Sequence, residues 1–199
     1  MRENDLPTNH QLINQTSTEV EYYTPVEIIE AARRVMGAID LDPASSETAN
    51  KIVKAGQIFT KDDNGLRRHW FGRVFLNHPF GRAEEACKIG CDKKHEHHNY
   101  DFYGNAAWIN YLDSECQVRV SQACCITYAC TSETWFQPLM KRPQCYLTPR
   151  TNYRLPDGTI KKGVSKGSVV TYYGNNLEAF AREYRKFGTI KVRWDGNGK

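Results

Sequence analysis

Short apolar runs alternate with segments of helical spacing along almost the whole chain, and this alternation narrows the fold more than any other feature. Val26, Ile28, Ile29, Ala32, Val35 and Met36 recur at helical spacing. Pro25 stands where a helix tolerates proline, in its first turn, and Gly37 stands where a helix stops. Ala38 to Asp42 reads as a short buried strand ending at Pro43, and a second helix is expected around Glu47 to Lys54. Val74-Phe75-Leu76 is a further strand, and Asn105 to Leu112 a helix. Ala123 to Tyr128 is a strand, with a helix expected over Trp135 to Met140. Cys145-Tyr146-Leu147 and Ser168 to Tyr173 are strands, followed by a helix from Leu177 to Phe187 and a strand from Thr189 to Trp194. The pattern predicts an α/β fold, a mostly parallel sheet with helices on both faces. In such sheets ligands sit beyond the carboxyl ends of the strands.

The 199 residues suffice for one domain of ordinary size. Residues 1–19 are polar and lack periodicity, so they read as a flexible arm, and residues 20–199 as a single domain. Hydrophobic residues make up 40% of the chain and aromatic ones 12%, which allows a sizeable core and argues against disorder. No apolar run approaches the roughly 20 residues of a membrane span, and the N-terminus has no apolar signal region. The expectation is a soluble cytoplasmic protein. Seven cysteines, an odd number, fit reduced thiols or metal ligands better than a disulfide framework.

Asn77-His78-Pro79-Phe80-Gly81 directly follows a strand. Such a turn suits chemistry on the exocyclic amine of a nucleobase. The lone pair of that amine is conjugated with the ring, so the nitrogen must be held toward tetrahedral geometry before it can attack. Two acceptors, one for each N–H, achieve this. Asn77 offers a side-chain oxygen, His78 a backbone carbonyl, and Phe80 a face on which a base flipped from the duplex can stack. No covalent intermediate is needed, because binding geometry contributes most of the catalysis.

Tyr22-Tyr23-Thr24-Pro25, then Asp40-Leu41-Asp42-Pro43-Ala44-Ser45, then Asn77-His78-Pro79-Phe80 stand in the order of an amino-methyltransferase. More narrowly, the chain resembles the phage-type DNA adenine N6-methyltransferases of the Dam family, from about Glu21 to Trp194. Asp62-Asp63-Asn64-Gly65-Leu66, Thr131 to Phe136 and Tyr173-Gly174-Asn175-Asn176 add to the likeness. The resemblance implies a Rossmann-like methyltransferase fold, S-adenosylmethionine as cofactor, double-stranded DNA as substrate and adenine N6 as target. It implies catalytic roles for Asn77, His78, Pro79 and Phe80. Tyr23, Thr24 and Pro25 would contact the cofactor's methionine end, and Asp42, Pro43 and Ala44 would cradle the same region. An acid, Asp63 in preference to Asp62, would accept from the cofactor's adenine amine. Phage or prophage origin and protection of phage DNA from restriction are further implications. The chain departs from the family pattern in two places. His78 replaces the first proline of Asn-Pro-Pro-Tyr/Phe, which keeps the carbonyl but loses a rigid ring, and its imidazole can reach a phosphate or a base. Asp42-Pro43-Ala44-Ser45-Ser46 lacks the glycines that let a cofactor approach the backbone. Cytosine N4 methylation uses the same amine chemistry, and a catalytically inactive DNA-binding or anti-restriction homologue would keep the same fold.

A Cys/His-rich insertion is expected at about residues 82–104. Cys87, Cys91, His95 and His98, with His97 as an alternative, have the chemistry of a tetrahedral structural zinc site. The competing reading is a polar insertion with incidental histidines. The net charge is +4, and the basic residues concentrate between Lys141 and Lys166, where Asp157 is the single acid. Arg150, Arg154, Lys161 and Lys162, with Tyr146 and Tyr153 among them, form the best nucleic-acid footprint in the chain. A solvated surface loop is the alternative.

Overall fold

The computed structural model describes residues 22–80, 103–155, 158–161, 164 and 166–193. Helix α1 (Val26–Met36) begins after Pro25 and stops where Gly37 adopts φ 88° and donates its N–H to the Arg33 carbonyl at 2.7 Å. Its buried stripe, Ile28, Ile29, Ala31, Ala32, Val35 and Met36, follows the helical period seen in the sequence. Strand β1 (Leu41–Asp42), helix α2 (Glu47–Val53) and strand β2 (Gln57–Ile58) follow. The Ser46 side chain caps α2 by accepting from the Ala49 N–H. Then come β3 (Gly72–Leu76), α3 (Asn105–Val118), β4 (Val120–Tyr128), β5 (Gln144–Leu147), a hairpin of β6 (Tyr153–Arg154) and β7 (Ile160–Lys161), β8 (Ser168–Tyr173), α4 (Leu177–Tyr184) and β9 (Gly188–Lys191).

The main sheet has the order β2-β1-β3-β4-β8-β5-β9. β2, β1, β3, β4 and β5 point one way, while β8 and β9 run against them. The mostly parallel α/β sheet expected from the sequence is present, with β8 inserted antiparallel between β4 and β5. Residues alternate between its faces along β4. Cys124 and Ile126 join the core formed with α1 and α4, whereas Ala123 and Cys125 join the core beneath α3. On the first face Tyr184 donates its hydroxyl proton to the Ile28 carbonyl at 3.0 Å, tying α4 to α1.

The details depart from expectation in identifiable ways. The helix expected over Trp135 to Met140 is two separate 3-10 turns, Thr134–Phe136 and Leu139–Lys141. Pro138 lies between them and has no N–H with which to continue a helical ladder. α3 runs six residues past Leu112 to Val118, and α4 stops at Tyr184. Regular strand covers only Leu41–Asp42 of the first expected one, although Ile39 and Asp40 already bond to the neighbouring segments. β2, β6 and β7 are too short, at two residues each, to leave a periodic signal. Residues 1–19, most of the 82–104 insertion, and Lys162 lie outside the described residues.

Candidate active site

β1, β3 and β4 end on the same edge of the sheet, and the turn after β3 is the centre of the site. Asn77 donates Nδ2–H to the Tyr22 carbonyl at 2.7 Å. The donor end of its amide is thereby committed. Its Oδ1 is buried and has no hydrogen-bond partner among the described residues. An unpaired buried polar group costs roughly 1–3 kcal/mol. Such an atom at a strand end marks a place for a donor from a ligand.

His78 is turned into the protein and buried. Its ring stacks on Trp108 and meets Phe80 edge-on at 5.3 Å. Nδ1 lies 2.9 Å from the Pro79 carbonyl oxygen, so Nδ1 carries the proton and donates, leaving Nε2 a buried acceptor with no partner among the described residues. Burial pulls its pKa down to about 4, outweighing the Pro79 contact. The imidazole is therefore neutral and inward, which corrects the expectation that it reaches a phosphate. Pro79 is exposed. Phe80 is half-buried, with its ring centroid 4.5 Å from Tyr128 and 6.2 Å from Tyr153.

Beside this turn, the Tyr-Thr-Pro segment meets the end of β1. Tyr23 and Ser46 hydroxyls lie 3.3 Å apart. Thr24 is buried, and its Oγ1 has no hydrogen-bond partner among the described residues. Asp42 is buried, and its Oδ1 accepts from the Ala44 N–H at 3.2 Å. Burial pushes its carboxyl up to about 6, outweighing the Ser45 hydroxyl and the Ala44 N–H that favour the carboxylate. Pro43 is held from behind by Gly65, where an added Cβ would fall 2.0 Å from the Pro43 carbonyl oxygen. Asp63 lies on the loop after β2. Its Oδ2 accepts from both the N–H and the hydroxyl of Thr60, at 2.9 and 3.0 Å, and Oδ1 is 3.7 Å from Arg68. The Thr60 bonds hold its carboxyl below the usual range. Asp62 is exposed.

Of the basic residues, Arg150 and Arg154 are exposed. Arg150 donates to the Val164 carbonyl at 3.2 Å, so part of its role is to close the loop. Arg154 sits on β6, whose backbone pairs with Tyr23. Lys161 lies on β7. Cys87, Cys91, His95, His97 and His98 lie outside the described residues; among the described ones no group of His, Cys, Asp and Glu could hold a metal. No described helix is long and apolar enough to cross a membrane. Sequence reasoning missed the support around the turn: Tyr22 behind Asn77, Gly65 behind Pro43, and Tyr128 and Tyr153 around Phe80. Gly65 had a signal in the Asp-Asp-Asn-Gly-Leu run. The aromatic contacts join residues distant in sequence and had none.

No curated protein matches the sequence. A family model described as DNA N-6-adenine-methyltransferase (Dam) matches residues 14–170, a span that takes in the Tyr-Thr-Pro segment, the end of β1, the turn after β3 and the basic segment. The chain belongs to the Dam family of DNA N-6-adenine-methyltransferases.

Proposed function

We propose that this chain moves a methyl group from S-adenosylmethionine to N6 of an adenine flipped out of double-stranded DNA. One observation carries the reading above the rest: the Asn77 amide is oriented by Tyr22 so that a bare, buried oxygen remains at the strand end. The adenine amine brings the missing donor. Asn77 Oδ1 accepts one N–H, the His78 main-chain carbonyl accepts the other, and Phe80 supplies the stacking face. The exposed Pro79 lines the mouth of the turn.

Held in this way, the nitrogen directs its lone pair toward the methyl carbon. The N–C bond forms as the C–S bond breaks, the electron pair stays on sulfur, and one amine proton passes to solvent. S-adenosylmethionine supplies a methyl on a sulfonium, which leaves as a neutral thioether. The hydroxyl of Thr24 fits the polar methionine end, and Tyr23, Pro25, Asp42, Pro43 and Ala44 enclose it. Asp63 Oδ1 is the acceptor for the cofactor's adenine amine. Arg154, Arg150, Lys161 and Lys162 contact the duplex, where phosphate contacts make affinity fall with salt.

The test is expression in a host that lacks adenine methylation, followed by methylation-aware sequencing and nucleoside mass spectrometry of its plasmid. N6-methyladenine at a defined sequence is expected. N4-methylcytosine would overturn the choice of base. An unmethylated plasmid, together with no thermal shift by S-adenosylmethionine, would favour the inactive DNA-binding homologue.

A further inference from the structure

Two hydrogen-bonded links join the basic hairpin to the catalytic turn. The first is an antiparallel bridge, in which Tyr23 N–H donates to the Arg154 carbonyl at 2.8 Å and Arg154 N–H donates to the Tyr23 carbonyl at 3.0 Å. The second is the bond from Asn77 Nδ2 to the Tyr22 carbonyl. The ring of Tyr22 also meets that of Tyr153 edge-on at 5.8 Å, so side chain and main chain hold the same segment against β6. Tyr153 is fully buried and bonded to Ser168 at 2.9 Å, and Ser168 is the first residue of β8 in the main sheet. The anchor is therefore rigid where it meets the core.

An asparagine amide has two ends of nearly equal size and opposite polarity. Turned over, Asn77 would present N–H groups to an amine that already has two, and the clamp would fail. The Tyr22 carbonyl decides the orientation, because only the amide nitrogen can bond to it. We propose that β6 is a positioning element for methyl transfer: by pairing with Tyr23 it keeps the Tyr22 carbonyl on Asn77 Nδ2 and so keeps Asn77 Oδ1 toward the base. This rests on the proposed role of Asn77. It adds that Tyr22 and the Arg154 main chain act through Asn77 without touching the substrate.

The side chain and main chain of Arg154 have separable roles. Arg154→Ala removes an exposed guanidinium but keeps the N–H and the bridge. Arg154→Pro removes both the guanidinium and the N–H that Tyr23 accepts. Methyl transfer to plasmid from a host lacking adenine methylation is measured for each, with S-adenosylmethionine affinity measured separately by calorimetry. Arg154→Ala should raise KM for DNA and leave kcat within about twofold. Arg154→Pro should in addition lower kcat on the order of 10-fold to 100-fold, the scale of a small misplacement of a catalytic group. Arg154→Ala, which keeps the bridge to Tyr23, should keep cofactor affinity within about threefold. Equal kcat for the two variants would overturn the proposal.

A second pair decides the matter if the proline variant does not fold. Tyr22→Ala loses the ring contact with Tyr153, whereas Tyr22→Phe keeps it. Lowered kcat with unchanged DNA KM in the first, and wild-type kcat in the second, are expected. Equal turnover in the two would overturn the proposal. Absence of methyl transfer by the wild-type protein is a different outcome, because it removes the proposed function itself.

Discussion

The imidazole of His78 lies parallel to the indole of Trp108, with ring centroids 6.2 Å apart and planes 8° apart. Enclosed there, His78 resists protonation until about pH 4, against an ordinary value of 6.5. Asp42 is shifted the other way, to about 6 from an ordinary 3.8. As pH falls from 6.5 toward 4, the unfolded chain binds a proton on His78 that the native state refuses, and stability is lost. Over nearly the same window the native state binds a proton on Asp42 that the unfolded chain refuses, and stability is gained. Each effect is roughly 3 kcal/mol, so in the wild type they nearly offset. Asp42→Asn should therefore lose roughly 3 kcal/mol more than the wild type between pH 6.5 and 4. Urea unfolding at a series of pH values measures this, and parallel stability curves for the two proteins would reject it.

Asn77→Ala should lower methyl transfer on the order of 100-fold to 1,000-fold, the scale seen when one preorganised hydrogen-bonding group is removed from an active site. The cost in stability should be small, because the lost bond to Tyr22 is offset by removal of an unpaired buried oxygen. Labelled-methyl transfer and a thermal melt report the two quantities. Turnover within a few fold of wild type would remove Asn77 from the chemistry.

Phe80→Ala should weaken productive DNA binding by about 1–3 kcal/mol, the worth of one base–aromatic stack. Tyr128 and Tyr153 pack against Phe80 from behind, so the ring is held in place before the base arrives. A fluorescent base analogue at the target position should be less populated in the flipped state. Unchanged fluorescence and turnover would make Phe80 a core residue only.

Gly65→Ala should disturb the cofactor side without touching the turn after β3. Its new methyl would meet the Pro43 carbonyl at 2.0 Å, and backbone cannot yield as a flexible side chain does. The expected cost is about 1–3 kcal/mol in stability, with weaker binding of S-adenosylmethionine by calorimetry. A variant with wild-type cofactor affinity would show that the Asp42–Ala44 turn tolerates displacement.

The order of strands and helices was legible because each long element carries its own period. α1 shows this best, with a buried face, a proline start and a glycine stop, all local in sequence. The turn that ends β3 was legible for the same reason, because Asn77, His78, Pro79 and Phe80 are adjacent in sequence. What stayed hidden depends on partners far along the chain. Nothing near Asn77 announces that Tyr22 orients it, 55 positions away. The inward turn of His78 depends on Trp108, on a helix beyond the insertion. Asp63 shows the reverse case, since a turn-closing role and a ligand-binding role call for the same residue type, and its bonds to Thr60 are visible only in three dimensions.

The position of β8 has a consequence for the order in which this chain can be completed. β4 pairs with β3 on one side and with β8 on the other, and among the described residues β5 has no neighbour except β8 and β9. During synthesis the ribosome therefore releases β4 and β5 well before the strand that joins them exists. Until residue 173 has emerged, the Cys124–Ile126 stretch of β4 presents an apolar open edge, the kind that pairs with other chains. Nascent chains stalled short of β8 should collect as aggregates or chaperone-bound species, and those stalled beyond β9 should not.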